Sequence, residues 1–398
     1  MTMKTCTKTV RVRADGPSEP GAGASAAGVE ALEAIRKPVR FRAGGVPQDV
    51  PTAGGRQQED RRTPRLAVIG LGYWGPNLVR NFHALLGEHL RCCCDLQPER
   101  GRALVRGYPG LRFTEDVQAV LADDGIDAVA IATPVDTHYA LARAALEAGK
   151  SVLIEKPMCA SVQQARELVE LAERRGRVLM VDHTFVYNPA VRKVRQIIEE
   201  GQLGDLLFID SIRINLGLFQ RDVNVVWDLA PHDLSIVLYL VGRSPRSLSA
   251  FGAAHGGNDL ESVAYLNLDF GDGLIANFHV NWLSPVKIRH TVVGGRRRSL
   301  IYNDLDPVEK VKVYDSGIEV RQDDLEGRRR QLIEYRTGDI WVPHIPQAEP
   351  LRIMAAHFIE CVQNGTRPLT DGRAGLEIVR ILEAAQHSIK AQGGRITL

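Results

Sequence analysis

The passage from a buried strand into a glycine-rich turn constrains this chain more than any other feature. RLAVIGLG, which begins at Arg65, is a continuous apolar and β-branched run, as expected for a strand buried on both faces. It leads into Gly70-Leu71-Gly72-Tyr73-Trp74-Gly75, which has the spacing G-x-G-x-x-G, and helical spacing follows. Such a turn brings a phosphate close to the backbone at a helix N-terminus. We therefore predict a dinucleotide site at these six residues; the alternative is a glycine-rich turn that binds no ligand.

Strands and helices alternate over residues 64–184. After the turn, the strands lie in HLRCCCDL, DAVAIAT, SVLIEK and VLMVDH, and helical segments separate them. This alternation is typical of right-handed βαβ units and a parallel sheet. We predict an α/β domain of the doubly wound Rossmann type over residues 64–184. The adjacent Cys92, Cys93 and Cys94 point alternately to opposite faces of a strand, so we interpret them as small apolar residues and expect no metal site.

The pattern changes in residues 185–398. SVAYLNLDF and LIANFHVNWL are alternating strands around an Asp-Gly turn, which favours a β-hairpin. Further strands are expected in LLFIDSIRIN, KIRHTVVGG and SLIYN, and two helical runs close the chain. We predict a C-terminal α+β domain with an open, mostly antiparallel sheet.

Residues 1–63 are rich in Gly, Ala, Pro and Arg and contain few apolar residues. We predict a disordered or loosely attached extension, in which VEALEAIRKPVRF is a candidate amphipathic helix. The extension lacks the apolar core of a secretory signal, and we find no apolar run of the length that spans a membrane. A formal net charge of +2 argues against a nucleic-acid partner. Since the six cysteines form no disulfide framework, we expect a cytoplasmic protein.

An acidic residue ends the second strand, where it bears on the choice of cofactor. Asp95 lies 20 residues after Gly75, where a carboxylate can accept hydrogen bonds from the adenosine ribose. It repels a 2′-phosphate, and no arginine follows immediately, because Arg100 comes five residues later. The sequence therefore favours NAD, with NADP possible.

Two further strand ends are expected at the cofactor, because ligands of open α/β sheets bind at the carboxyl ends of the strands. One carries Thr133, Pro134 and His138; His138 either faces solvent on a helix or leans over the cofactor. The other carries Glu155 and Lys156. Lys156 is either a solvated or paired lysine or, at the mouth of the sheet, a group that exchanges protons with a substrate.

The stretch VWDLAPHDLSI places polar residues in an otherwise apolar segment. We predict that Asp228 is the N-cap of a helix, that Pro231 lies in its first turn and that Gly242 ends it. Asp228 and His232, four residues apart, then share one side of the helix. They are either a cap and a hydrogen-bonded helix residue, or a general acid/base with its orienting carboxylate. Asp233 is expected to face elsewhere, solvated or paired with Arg243.

In several of these segments the chain resembles the Gfo/Idh/MocA family, the glucose–fructose oxidoreductase and inositol dehydrogenase group. The matching segments include VIGLGYWGPN, IDAVAIATPVDTH, GKSVLIEKP, VDHTFVYNPAV and VWDLAPHDLSI, and the resemblance covers residues 64–398 in order. GYWGPN together with WDLAPHD is most similar to the members that act at C3 of nucleotide-linked sugars.

The resemblance implies a Rossmann domain and a second domain whose open sheet supports the substrate site and the contacts of a homo-oligomer, a dimer or tetramer. It implies that Lys156, Asp228 and His232 line the substrate pocket as catalytic residues. Asp182 departs from the pattern, since many members have glycine there.

The leading hypothesis is an NAD-dependent oxidoreductase that transfers a hydride between nicotinamide and a carbon of a sugar or nucleotide-sugar, with Lys156 and His232 flanking the reacting hydroxyl. One alternative is an NAD-dependent glycoside hydrolase that oxidises C3 transiently; another is a non-catalytic dinucleotide sensor. Candidate contacts for sugar hydroxyls or a diphosphate are Tyr187, Asn188, Arg213 and Asn215.

Overall fold

Six parallel strands form the first sheet of the computed structural model, which describes residues 62–217, 223–257, 259–323 and 330–398. The strands are β1 (Leu66–Ile69), β2 (Leu90–Cys94), β3 (Arg112–Thr114), β4 (Ala128–Ile131), β5 (Ser151–Glu155) and β6 (Leu179–Asp182). Their order is β3-β2-β1-β4-β5-β6. The order reverses between β1 and β4, and a doubly wound sheet binds its ligand at such a point. The predicted Rossmann-type sheet is confirmed.

Five helices cover the two faces of this sheet. They are α1 (Gly75–Leu86), α2 (Pro98–Val105), α3 (Val117–Ala122), α4 (Val135–Glu147) and α5 (Val162–Arg175). Local sequence sets their ends: the side chain of Asp116 caps α3, that of Ser161 caps α5, and Gly176 ends α5 in the left-handed conformation. The three cysteines of β2 are buried, as expected for a strand between two helical layers.

Nine strands form the second sheet, which is mostly antiparallel as predicted. In spatial order they are β16 (Ile340–Trp341), β13 (Val311–Tyr314), β12 (Ser299–Asn303), β11 (Leu283–Gly295), β7 (Leu206–Leu216), β10 (Leu274–Asn281), β9 (Val263–Gly271), β8 (Ser247–Ala253) and β17 (Ile396–Thr397). Only the central β7 and β10 run parallel among the described pairings of this sheet. A separate hairpin joins β14 (Gly317–Asp323) and β15 (Arg330–Arg336).

Four helices pack around the second sheet and return to the first. They are α6 (Pro189–Glu199), α7 (Val225–Val241), α8 (Pro350–Asn364) and α9 (Gly372–Lys390). α7 packs on β7 and β10, while α8 packs on α1 and α9 packs on both α5 and β8. The N–H of Val181 in β6 donates to the carbonyl of Thr370, 2.8 Å away, just before α9. The end of the chain therefore closes against the first sheet and holds α7 beside it.

Two predictions about α7 are wrong, and one is confirmed. Its N-cap is Asn224, whose side chain accepts from the N–H of Trp227 at 3.0 Å, so Asp228 lies inside the first turn. Pro231 consequently falls deeper in the helix. The helix ends, as predicted, at Gly242 in the left-handed conformation. Asn224 caps the helix in place of Asp228 because the apolar Val225 and Val226, which lie between the two, are buried as helical residues.

Residues 1–61, including the candidate helix VEALEAIRKPVRF, lie outside the described part of the chain. None of the helices in the described ranges combines the length and apolar composition that a membrane span requires.

Candidate active site

A cavity of about 1250 Å³ opens at the carboxyl ends of the parallel strands and reaches the start of α7. Its walls come from the glycine-rich turn, the ends of β2, β4, β5 and β6, and the second sheet. The predicted site residues among its lining are Gly70, Gly72, Tyr73, Trp74, Asp95, Thr133, Pro134, His138, Glu155, Lys156, Asp228 and His232. The fold thus gathers residues from distant parts of the chain on one surface.

The glycine-rich turn has the shape that a pyrophosphate requires. Gly70 has φ +93°, and a Cβ there would lie 2.6 Å from the carbonyl oxygen of Ala132. A Cβ on Gly75 would lie 2.0 Å from the carbonyl oxygen of Gly70, so glycine lets α1 pack closely on β1. Gly72 faces open space, with no atom within 4 Å of the position that a Cβ would take. No side chain caps α1, whose N-cap residue Trp74 lines the cavity, and these features fit NAD.

Asp95 lines the cavity and also accepts a hydrogen bond from the glycine-rich turn. Its Oδ2 accepts from the N–H of Leu71 at 2.6 Å, and its Oδ1 accepts from the N–H of Gln97 at 2.8 Å. The start of α2 also brings Arg100 to 3.9 Å from Oδ2. The carboxylate that disfavours a 2′-phosphate therefore has a cation beside it, although the two residues are five positions apart in sequence.

His138 lies at the base of the cavity and is buried, with 1% of its surface exposed. Its Nδ1 is 3.0 Å from the carbonyl oxygen of Pro157, and its Nε2 is 2.8 Å from that of Thr133. Burial lowers the pKa of the imidazole. His138 therefore joins the ends of β4 and β5, and the solvent-facing alternative for it is wrong.

Lys156 meets α7 directly. The ammonium Nζ donates to the backbone carbonyl of Asp228 at 2.9 Å and lies 3.4 Å from its Oδ1. The other carboxylate oxygen of Asp228 accepts from the indole N–H of Trp282 at 3.1 Å. Both charged side chains are mostly buried, with 18% of Lys156 and 21% of Asp228 exposed. Asp228 is thus oriented toward Lys156, and the hydrogen bonds of its carboxylate are to Lys156 and Trp282, not to His232.

His232 lies on the same side of α7 and lines the cavity one turn further on. Burial lowers its pKa well below the usual range, and the positive charges of Lys156, Arg213 and Arg289 lower it further. The imidazole is therefore neutral near pH 7 and able to accept a proton. The ring of Phe185 packs edge-on against it at 5.1 Å between centroids.

Arg213 and Asp233 form a buried ion pair next to Phe185, the residue that packs against His232. Nε and Nη2 of Arg213 donate to the two carboxylate oxygens of Asp233 at 2.8 and 2.9 Å, and both side chains are at most 5% exposed. The guanidinium stacks on Phe185, 4.6 Å from the ring centroid. The prediction that Asp233 is solvated or pairs with Arg243 is wrong, because α7 turns this carboxylate toward β7.

The four predicted substrate contacts do not line the cavity. Tyr187 is fully buried and bonds to Thr370. Asn188 caps α6 and donates to the hydroxyl of Tyr302. Arg213 is committed to Asp233, and Asn215 is absent from the described lining. Tyr187, Asn188 and Arg213 are buried and hydrogen-bonded within the protein, so this geometry does not support their contact with a substrate, and the assignment of the four residues stays a prediction.

Arg289 is a charged cavity residue that the sequence analysis did not assign to the site. It lies on β11 directly opposite Arg213 of β7, and its Nη1 donates to Asp304 at 3.1 Å. The side chain is 32% exposed and lines the cavity with His232. Only the pairing of β7 with β11 places this cation there, since Arg289 is 57 residues from His232 in the chain.

The fold and the site together define a dinucleotide-dependent oxidoreductase. The chain belongs to the Gfo/Idh/MocA family. A family model described as "Oxidoreductase family, NAD-binding Rossmann fold" matches residues 64–183, and the model "GFO/IDH/MocA C-terminal domain" matches residues 191–300. The resemblance found in the sequence is confirmed, and NAD(P) is the cofactor class of its first domain.

Known proteins similar to this chain include several sugar dehydrogenases. D-apiose dehydrogenase of Paraburkholderia graminis is 27% identical over 83% of this chain and 88% of its own length. UDP-N-acetylglucosamine 3-dehydrogenase of Acidithiobacillus ferrooxidans is 32% identical over 54% of this chain and 65% of its own. Its crystal structure aligns at a TM-score of 0.70 and 23% identity, covering 83% of this chain and 99% of that one. A levoglucosan dehydrogenase in complex with NADH and levoglucosan aligns at a TM-score of 0.71 and 20% identity, covering 84% and 99%. These two structural alignments show the fold.

Proposed function

We propose that this protein is an NAD(P)-dependent dehydrogenase or ketoreductase that acts on a sugar, at C3 of a nucleotide-linked sugar. The observation that carries the proposal is the meeting of Lys156 with Asp228, in the cavity that also contains His232 and the glycine-rich turn. A hydride transfer needs a site for the dinucleotide, groups that handle the hydroxyl proton and protection from water. In the described cavity the glycine-rich turn offers the dinucleotide site, and Lys156 and His232 offer the groups for the proton. The mostly buried position of Lys156 and Asp228 limits access of water.

The bound nicotinamide supplies the acceptor or donor of the hydride. On oxidation, the alcohol carbon loses a hydride and its hydroxyl loses a proton, which leaves the ketone. Neutral His232 is placed to accept that proton, and the ammonium of Lys156 is placed to stabilise the negative charge that develops on the oxygen. Asp228 holds Lys156 at the cavity wall through both its backbone carbonyl and its carboxylate. Reduction of the ketone uses the same groups in reverse.

Two observations support a nucleotide-linked substrate. UDP-N-acetylglucosamine 3-dehydrogenase is among the relatives, at 32% identity. In addition, Arg289 brings a cation to the end of the cavity where Lys156 and His232 lie, and Asp304 holds one end of its guanidinium. The remaining N–H groups suit a phosphate, which guanidinium groups bind in a forked geometry. A cavity of about 1250 Å³ exceeds the usual volume of a small-molecule site and accommodates a dinucleotide together with a substrate.

The proposal is tested by incubating the purified full chain with NAD⁺ and, separately, with UDP-N-acetylglucosamine, other UDP-sugars and free sugars. We expect NADH formation with a UDP-sugar, and a 3-keto product by mass spectrometry. Release of the aglycone without accumulation of NADH would instead identify a glycoside hydrolase. Tight NADH binding without turnover of any of these compounds would identify a dinucleotide sensor.

We also propose that the protein forms a cytoplasmic homo-oligomer, a dimer or tetramer. The nine-stranded sheet exposes large apolar side chains, among them Phe251 and Tyr265 on neighbouring strands and Ile275 and Phe208 on another neighbouring pair. Exposed apolar surface of this kind is typical of a face that another subunit covers. Light scattering after size-exclusion chromatography measures the mass directly, and a mass of one chain would contradict this part of the proposal.

A further inference from the structure

Two carboxyl groups lie side by side at the carboxyl ends of β5 and β6. Glu155 and Asp182 are paired residues in the parallel register of these strands. Asp182 is 2% exposed, and both residues line the cavity next to Lys156. Asp182 is also the residue at which the sequence analysis found a departure from the pattern that the family resemblance implies. Two carboxylates this close in a buried position repel each other strongly.

The carboxylate of Asp182 accepts hydrogen bonds from Trp74 and from Thr184. Its Oδ2 accepts from the indole N–H of Trp74 in the glycine-rich turn at 3.3 Å, and its Oδ1 accepts from the hydroxyl of Thr184. Oε2 of Glu155 accepts from the N–H of Lys156 at 3.1 Å. The pair therefore touches both the turn that binds the dinucleotide and the turn that carries Lys156.

Oε1 of Glu155 indicates which of the two carboxyl groups carries a proton. Oε1 of Glu155 is inaccessible to solvent and has no hydrogen-bond partner as long as both carboxyls are ionised. A proton on Glu155 removes this defect, because Asp182 is its register partner on the neighbouring strand and can accept from the protonated carboxyl. Burial and the neighbouring Asp182 raise the pKa of Glu155 well above its usual range, and burial raises the pKa of Asp182. A buried acceptor without a donor is costly, so the protonated arrangement is favoured.

We propose that Glu155 and Asp182 share one proton and act as a single hydrogen-bonded unit that holds Trp74 of the glycine-rich turn against the turn that carries Lys156. Asp182 is thus a positioning residue for the dinucleotide site. Loss of the shared proton places two negative charges on the pair, separates the carboxyls and moves Trp74. The affinity for the dinucleotide therefore falls when the pair loses its proton at alkaline pH.

The groups around the pair set the pH range of this effect. Lys156 follows Glu155, and its positive charge favours ionised Glu155. His183 follows Asp182, is buried with both ring nitrogens unpartnered, and has a pKa lowered to about 3, so it is neutral across the relevant range. Nδ1 of His138, from α4, lies 3.0 Å from the carbonyl oxygen of Pro157. Across the cavity, α7 contributes Asp228, which is paired with Lys156, and neutral His232.

Infrared spectroscopy detects the shared proton without any assay of activity. The C=O stretch of a protonated carboxyl is distinct from that of a carboxylate, and exposed carboxyls are ionised at pH 7. Glu377 is a second buried glutamate whose pKa is raised by burial, so Glu377→Gln is the background in which the band is measured. We expect a protonated-carboxyl band in E377Q at pH 7 and its loss in E155Q/E377Q. Absence of the band in E377Q overturns the proposal, whether or not the variants of the pair fold.

The positioning role is tested by NADH binding, followed by fluorescence from pH 7 to pH 10. In wild type, the dissociation constant is expected to rise by up to about tenfold per pH unit once the pair loses its proton. Glu155→Gln donates permanently to Asp182 and still accepts from Lys156, so its affinity at pH 7 is retained and the alkaline weakening is lost. Asp182→Asn is expected to lose the weakening as well.

The matched control is Glu170→Gln on the outer face of α5, which should keep the wild-type profile. An alkaline weakening that persists in both E155Q and D182N, with far-ultraviolet circular dichroism showing that they are folded, overturns the positioning role. Because the readout is NADH binding, the result does not depend on which sugar the enzyme uses.

Discussion

The ammonium of Lys156 lies 2.9 Å from the backbone carbonyl of Asp228 and 3.4 Å from its carboxylate. These residues are 72 positions apart, one on the turn after β5 and the other in the first turn of α7. Their contact joins the dinucleotide-binding sheet to the second sheet across the cavity. It also supports the proposed catalytic arrangement, because it places a cation from one half of the molecule beside the histidine of the other.

Replacing Lys156 with alanine tests that arrangement. We expect Lys156→Ala to lower kcat by about 10²- to 10⁴-fold, the usual contribution of a positioned proton-transfer or charge-stabilising group, while NADH still binds. Steady-state kinetics and NADH fluorescence separate the two effects. Lys193→Ala on the exposed side of α6 is the control. Near wild-type turnover in K156A would remove Lys156 from the mechanism.

Arg289 should determine the response to phosphate in the substrate. Arg289→Gln is expected to raise KM for a UDP-sugar by about tenfold, which is about 1.4 kcal/mol and typical of a charged hydrogen bond. A neutral free sugar should be affected much less. Arg296→Gln, which alters an exposed ion pair elsewhere, serves as the control. Equal changes in KM for the charged and the neutral substrate would argue against a phosphate contact.

The pair of Arg213 and Asp233 should matter for stability because both side chains are at most 5% exposed. Arg213→Met leaves a buried carboxylate unpaired and is expected to cost about 3–5 kcal/mol in the free energy of unfolding. The double variant R213M/D233L, which removes both charges, should recover much of this loss. Arg243→Met, which breaks the exposed pair with Asp272, should cost about 1 kcal/mol or less. Urea denaturation measures all three, and a double variant no better than R213M would contradict the explanation.

Buried histidines should make the protein less stable in mild acid. Burial, assisted by Arg192, lowers the pKa of His357 to about 4. Between this value and the unfolded pKa of about 6.5, the unfolded state binds the proton and the native state does not, so stability falls as pH decreases, by about 1.4 kcal/mol per unit. His357→Gln keeps an acceptor for the N–H of Leu369 and removes this titration. Its unfolding free energy should fall less steeply from pH 6 to pH 5 than that of wild type; identical slopes would exclude His357 as a source.

Asp95 should control the choice between the two dinucleotides. Asp95→Ala removes the carboxylate that opposes a 2′-phosphate and frees Arg100, 3.9 Å away, to meet it. We expect weaker binding of NADH and an increase in the ratio of NADPH to NADH affinity. Loss of the bond to the N–H of Leu71 contributes to the weaker NADH binding. Glu99→Ala, on the exposed start of α2, is the control, and an unchanged affinity ratio in D95A would contradict this role.

Local features of the sequence were sufficient to predict the strands of the first sheet and its glycine-rich turn. An apolar run that ends in Gly70, followed by helical spacing, defines a strand, a turn and a helix through interactions within a few residues. Gly242 likewise ended α7 as predicted, because a left-handed C-terminal residue is a local requirement. The N-cap of α7 was placed wrongly, since Asn224 and Asp228 are both good caps and packing of the intervening residues decided between them.

The sequence by itself determined the order of strands and helices, the dinucleotide turn and the identity of Lys156, Asp228 and His232 as candidate residues. Only the tertiary structure decided which side chains face the cavity. It turned Arg213 inward to Asp233, brought Arg289 to the site through the pairing of β7 with β11, and placed Glu155 beside Asp182 through that of β5 with β6. The physical reason is that periodicity and turn chemistry act over a few residues, whereas the direction of a polar side chain depends on strand register and on partners far away in the chain.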